Sequence, residues 1–115
     1  MKLPTYETDR YELDDGEAIN REYPDSFWIP AKAMRESLEP GDFVKLIFRM
    51  EETAGSDDLS VERMWVNVTK KHPAFYEGVL DNEPTGSDCV QCGQTVTFHA
   101  CHVIAIYGKN EERHR

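Results

Sequence analysis

The residues best suited to chemistry are crowded into one short stretch. Residues 88–102, DCVQCGQTVTFHACH, hold all three cysteines and two of the four histidines of the chain. Cys89-x-x-Cys92 followed by Gly93 has the form of half a zinc knuckle, and His99, Cys101 and His102 could supply the other ligands of a tetrahedral site. Geometry opposes that reading. GQTVTF, between the two groups, is a run of β-formers. If it is extended, Cys92 and His99 stand seven steps of ~3.3 Å apart, on the order of 20 Å, and point to opposite faces. Ligands of one zinc ion must all lie within about 2.3 Å of it. A redox dithiol at Cys89 and Cys92 would need a helix N-terminus to depress its thiol pKa, and here a turn leads into a strand. The expectation is that Cys92 packs as a small hydrophobe at the strand entry and that Cys101 sits in a connection. A zinc- or thiol-dependent protein using the cluster at 89–102 is the alternative.

Other positions point to recognition rather than catalysis. Asp81-Asn82-Glu83-Pro84 places three polar side chains before a proline that sets a turn, and Asp and Asn commonly bond their own backbone there. Glu83 and Asp81 could also be offered to a basic or hydroxyl-bearing partner. Trp65 has the opposite parity to Met64, Val66 and Val68. It either lies under the N-terminal segment, the favoured reading, or stands outside the core as a partner contact. Trp28, beside Phe27, is expected to pin the N-terminal segment onto the sheet. His102 shares parity with Ile104 and Ile106 and reads as a hydrogen-bonded core residue; His99 reads as exposed and His72 as a turn residue. The candidate partner-binding set is Trp65, Asp81, Asn82, Glu83 and His102. No serine-nucleophile elbow, phosphate loop, zinc-protease motif or dinucleotide fingerprint occurs, so no catalytic residue, metal ligand or cofactor is expected.

The elements that would position these residues follow from hydrophobic period and punctuation. A helix is expected over residues 14–23, stopped by Pro24, and a second within 29–42, with Pro30 in its first turn and Pro40-Gly41 at its end. Strands are expected at 42–50, 62–69, 74–81, 94–98 and 103–107. Val44, Leu46, Phe48 and Met50 share one face, and Lys45 and Arg49 the other. Gly78 marks a bulge or a close contact. Loops fall at 54–58 and 82–88, and a turn at 70–73. Five short strands at this spacing predict an α+β protein: a small five-stranded antiparallel meander or SH3-like barrel with an N-terminal helical segment. The expected division is 1–26, an acidic and partly helical segment; 27–108, the β-rich core; and 109–115, a frayed charged tail.

The whole chain sets bounds. Its 115 residues suit one domain. The net charge is −9, and the acids are concentrated in the first 60 residues. Such a surface disfavours nucleic acids and anionic membranes and favours a basic protein partner. A nucleic-acid mimic is a further use of an acidic face, but the spacing of the acids specifies none. No apolar run reaches the roughly 18 residues of a membrane span, and MKLPTYETDR has no hydrophobic core of a secretory signal, so a cytoplasmic location is expected.

Taken in order, FWIPAKAMRESLEPGDFVKLIF, ERMWVNVT, FYEGVLDNEP and CGQTVTFHACHVIAI resemble the small bacterial proteins of domain-of-unknown-function family 2314, over residues 27–107. The most specific pieces are Met64-Trp65-Val66, the G-x-L-D-N-E-P run at 78–84, and G-x-x-V-x-F at 93–98 with the pair His102-Val103. The family pattern has an aliphatic residue where Cys92 stands and often an acid where Gln94 stands. The family is uncharacterised, and the resemblance implies at most an immunity-type role beside a bacterial toxin. The function expected is a non-enzymatic, cytoplasmic protein-binding module.

Overall fold

The structure, a computed structural model, describes residues 2–108; the expected frayed tail at 109–115 lies outside them. Helix α1 (Tyr6–Asp9) leads into strand β1 (Tyr11–Leu13), helix α2 (Gly16–Glu22) and the single turn α3 (Lys32–Arg35). Then come β2 (Phe43–Glu51), β3 (Leu59–Lys71), β4 (Tyr76–Leu80), β5 (Thr95–Phe98), a 3-10 turn (Ala100–His102) and β6 (Ala105–Ile106). All pairings are antiparallel, in the order β1-β2-β3-β4-β5, with β6 joining β2. The result is an α+β fold built on a curled meander, a half-barrel.

The alternation read from the sequence decides the faces. Val44, Leu46, Phe48 and Met50 of β2 are fully buried, as are Met64, Val66 and Val68 of β3. The register sets Val44 against Val66 and Leu46 against Met64, so apolar side chains meet directly across the ladder. Tyr76, Leu80, Val96 and Phe98 continue this inner face, and Leu38, Val90, Val103 and Ile106 fill it. Gly78 is where backbones come too close for a side chain. A Cβ there would stand 2.5 Å from Val66 Cγ1 and 2.7 Å from the Asn67 carbonyl oxygen. The irregularity beside it falls on β3, between Val68 and Lys70.

Four expectations need correction. Residues 1–26 are not a separate segment: Tyr11–Leu13 pair with Phe48–Met50, and Tyr11 stacks on Phe48 in the core. The helix sought within 29–42 is only Lys32–Arg35, with Pro30 ahead of its N-cap Ala31. The chain leaves the helix so that Leu38 can enter the core. The last strand shrinks to Ala105–Ile106 because residues 100–102 coil into the 3-10 turn. Cys92 is exposed, and Val90 is the buried residue of its loop. A valine buries more apolar surface than a thiol without leaving a polar group unpaired, so it takes the inward position.

Packing of the N-terminal elements rests on Arg35, which is buried. Its Nη1 donates to Glu17 Oε2 (2.6 Å) and the Ala100 carbonyl (3.0 Å), and its Nε to the Pro30 carbonyl (2.8 Å). One guanidinium thus ties α2, the α3 approach and the 3-10 turn together. Its fork of fixed donors suits three acceptors at once.

Candidate partner-binding site

Trp65 lies on the outer face of β3, opposite Lys45 of β2. It is half-buried, but not under the N-terminal helix as expected. The Lys45 ammonium sits 4.7 Å from the centre of its ring, and Tyr107 meets it edge-on at 6.1 Å. Tyr107 is placed by the short strand before it: Val44 pairs with Ile106, and the Tyr107 N–H donates to the Phe43 carbonyl. Phe43 has the parity of Lys45 and so faces outward too. Phe43, Trp65, Asp81 and Tyr107 line one shallow depression of about 260 Å³.

The turn after β4 is built against Trp65. The Asp81 N–H donates to the Trp65 carbonyl at 2.9 Å, and Asn82 Oδ1 accepts the Trp65 N–H at 2.5 Å. The Asn82 side chain thereby stands in for the next rung of the β3–β4 ladder. It satisfies an N–H that the strand's end would otherwise leave bare. This is a structural role, and it leaves Asp81 exposed at the rim beside two aromatic rings.

The remaining candidates lie elsewhere. Glu83 is exposed and lines a separate depression of about 350 Å³ with Pro84, Ser87, Asp88 and Cys92. His102 is buried and offers no surface to a partner, which removes it from the binding set. Its burial comes from the 3-10 turn rather than from strand parity. His102 Nδ1 accepts the His99 N–H at 2.9 Å, so its other ring nitrogen carries the proton in the neutral form. Burial, and then the neighbouring His99, pull its pKa down to about 4, against the opposing carboxylates of Asp15 and Asp14. His99, half-buried rather than exposed, donates through Nδ1 to the Ala74 carbonyl.

Cys89 and Cys92 are set apart from His99, Cys101 and His102 by β5. Thr95–Phe98 runs extended between them and pairs with Tyr76–Val79. Among the described residues no three His, Cys, Asp or Glu side chains converge as a metal site would require. Burial, followed by the charges of Asp15 and Glu17, pushes the Cys101 thiol up, which favours the protonated, unreactive form.

Sequence reasoning missed Phe43, Lys45 and Tyr107 as neighbours of Trp65. Their parity was a usable signal, since 43 and 45 face outward with Arg49, and 107 alternates away from Ile106. Trp28 was expected to pin the N-terminal segment. It is 44% exposed, and its neighbour Phe27 lies beneath the Arg63 guanidinium of β3.

Fold and site together define a small α+β protein whose curled antiparallel meander presents an aromatic patch rimmed by one acid. Comparison with protein-family models, with curated proteins and with solved structures finds no match to the chain.

Proposed function

We propose that this chain is a non-enzymatic, cytoplasmic protein-binding module. Its contact surface is the depression formed by Phe43, Trp65, Asp81 and Tyr107, and its partner presents a basic segment. One observation carries the reading: two aromatic side chains, one of them 72% exposed, line a depression with an exposed carboxylate on a chain of net charge −9. Aromatic residues are the usual anchors of protein interfaces, and a rim carboxylate orients a cationic partner. The face of Trp65 already takes an ammonium group, that of Lys45. A partner's lysine or arginine between Trp65 and Asp81 would find the same ring chemistry plus a carboxylate. The resemblance noted in the sequence adds a bacterial toxin as the partner type.

Co-expression of the tagged chain with the product of the neighbouring gene tests this. The expected outcome is a complex that survives purification and is lost in the Trp65→Ala/Tyr107→Ala double variant. Hot-spot aromatics contribute about 2 kcal/mol or more each, so affinity should fall at least ~30-fold for either residue alone and on the order of 1,000-fold for both if their effects add. A complex untouched by the double variant would remove this surface from the reading.

A further inference from the structure

Strand β5 ends the sheet, and among the described residues β4 is the one strand paired with it. The register decides which of its backbone groups β4 uses. The Leu80 N–H donates to the Gln94 carbonyl, so Leu80 and Gln94 form a hydrogen-bonded pair. Such pairs alternate along an antiparallel ladder with pairs that exchange no bond. Gly78 with Val96 and Tyr76 with Phe98 are therefore the next bonded pairs, and Val79 with Thr95 and Glu77 with Thr97 the non-bonded ones. The N–H and the carbonyl of Thr95 and of Thr97 point the other way, off the open edge. No partner for these groups occurs among the described residues. Beyond them the edge is closed, because His99 gives its N–H to His102 Nδ1 and its carbonyl accepts the His102 N–H.

Exposed edge strands normally carry a charge or a proline that discourages further pairing. This one carries neither. Asp, Glu, Lys and Arg make up 30% of the chain, yet residues 89–108 contain none of them, and no proline follows Pro84. Val96 and Phe98 are wholly buried on the inner face, which leaves Thr95 and Thr97 on the outer one. Threonines set opposite one another are a favourable cross-strand pair. The open edge is also its own complement. Turned about a two-fold axis beside Val96, a second copy brings its Thr97 opposite Thr95 and its Thr95 opposite Thr97. Both are then bonded pairs, each able to exchange two N–H···O bonds. A two-fold contact of this kind uses the same patch on both copies and closes on itself.

We propose that β5 is a self-association edge: a second copy of this chain adds its own β5 antiparallel, giving a symmetric dimer with one sheet continuous across both copies. The paired segment is only Thr95–Phe98, so the contact is small and the dimer weak and reversible. Each copy carries a net charge of −9, and salt that screens this repulsion tightens the dimer. The edge is independent of the protein contact proposed above, because no residue of β5 lines that depression.

Sedimentation velocity and amide exchange on the full chain, across a concentration series, test it. The expected result is a monomer–dimer equilibrium with a dissociation constant below about 1 mM, tighter at high salt. Exchange at the Thr95 and Thr97 amides should slow as the dimer fills, by more than at Val96 and Phe98, which β4 already holds. Thr97→Pro removes an N–H that β4 does not use, so it should abolish the dimer and leave the melting temperature of the monomer close to the parent's. Charged variants check the register. Thr95→Asp/Thr97→Lys sets opposite charges across both pairs and should tighten the dimer about fivefold, whereas Thr95→Asp/Thr97→Asp sets like charges there and should leave only monomer. A chain that stays monomeric up to about 1 mM would overturn the proposal. So would a dimer whose Thr95 and Thr97 amides exchange as in the monomer, or one that survives both Thr97→Pro and Thr95→Asp/Thr97→Asp. Slowed exchange seen only when an unrelated extended peptide is added, with the chain still monomeric, would overturn it in favour of a foreign strand.

Discussion

Two side chains show how burial turns a polar group into a structural requirement. His102 must be neutral in the fold, because its Nδ1 accepts an N–H and its ring is out of water. Its pKa, about 4 in the folded chain, lies below the ordinary imidazole value of 6.5. Between those values the unfolded chain takes up a proton that the folded one refuses. Stability is therefore complete above the unfolded pKa and is lost as pH falls toward the folded one. The linked loss is about 3 kcal/mol. His102→Asn retains an acceptor near the Nδ1 position and should remove this loss. Urea titrations of both proteins at neutral pH and near pH 4.5 should show the parent falling by more than the variant. Parallel falls would assign the acid sensitivity to other groups. Arg35 is the second case. Arg35→Ala strands two carbonyls and a carboxylate. Since Glu17 keeps some contact with water, the expected cost is about 2–3 kcal/mol, read as a lower urea midpoint. Arg35→Lys should recover little of it, since an ammonium lacks the fork that reaches three acceptors.

At the scale of elements, the long strand β3 is shared by two neighbours. Its first part pairs with β2 and its second with β4. Where β4 ends, side chains continue the pairing. Asn82 takes the Trp65 N–H, and further along Glu62 gathers the loop. Glu62 accepts the N–H groups of Thr85 and Gly86 and the Thr85 hydroxyl. Its pairing with Phe48 puts it on the inner face, at the rim where the half-barrel opens. A carboxylate there can bind the loop's N–H groups while staying half in contact with water. Glu62→Ala should release residues 82–88 with little change elsewhere. Amide exchange at Thr85 and Gly86 should speed up by about tenfold or more, the equivalent of losing one bond to a charged acceptor. Unchanged exchange there would mean that the loop is held by Asn82, by the bonds of Ser87 and Asp88 to Glu51 and Glu52, and by Val90 rather than by Glu62.

For the whole molecule, charge is the dominant long-range property. A net charge of −9 repels anions at a distance and draws basic surfaces in. If the partner is basic, its association rate should fall steeply as salt rises, while its dissociation rate changes little. Stopped-flow mixing across a salt series measures both. A salt-insensitive association rate would mean that the aromatic patch acts without electrostatic steering. Among the described residues, no helix is long and apolar enough to cross a membrane.

The alternation of apolar residues settled the inner faces of β2 and β3 and the α+β class from the sequence alone, because strand period is a local property of consecutive side chains. The separation of Cys89 and Cys92 from the two histidines was equally legible, since residues 95–98 had only to be extended. Which distant pieces meet was a different matter. The joining of β1 and β6 to β2, the placement of Asn82 on the Trp65 backbone, the tie from Arg35 to Glu17 and Ala100 and the seating of Arg63 on Phe27 came only with the tertiary structure. Each of these contacts joins residues well apart along the chain. Their partners are chosen by what remains unpaired once the core has closed, and no short-range pattern encodes that choice.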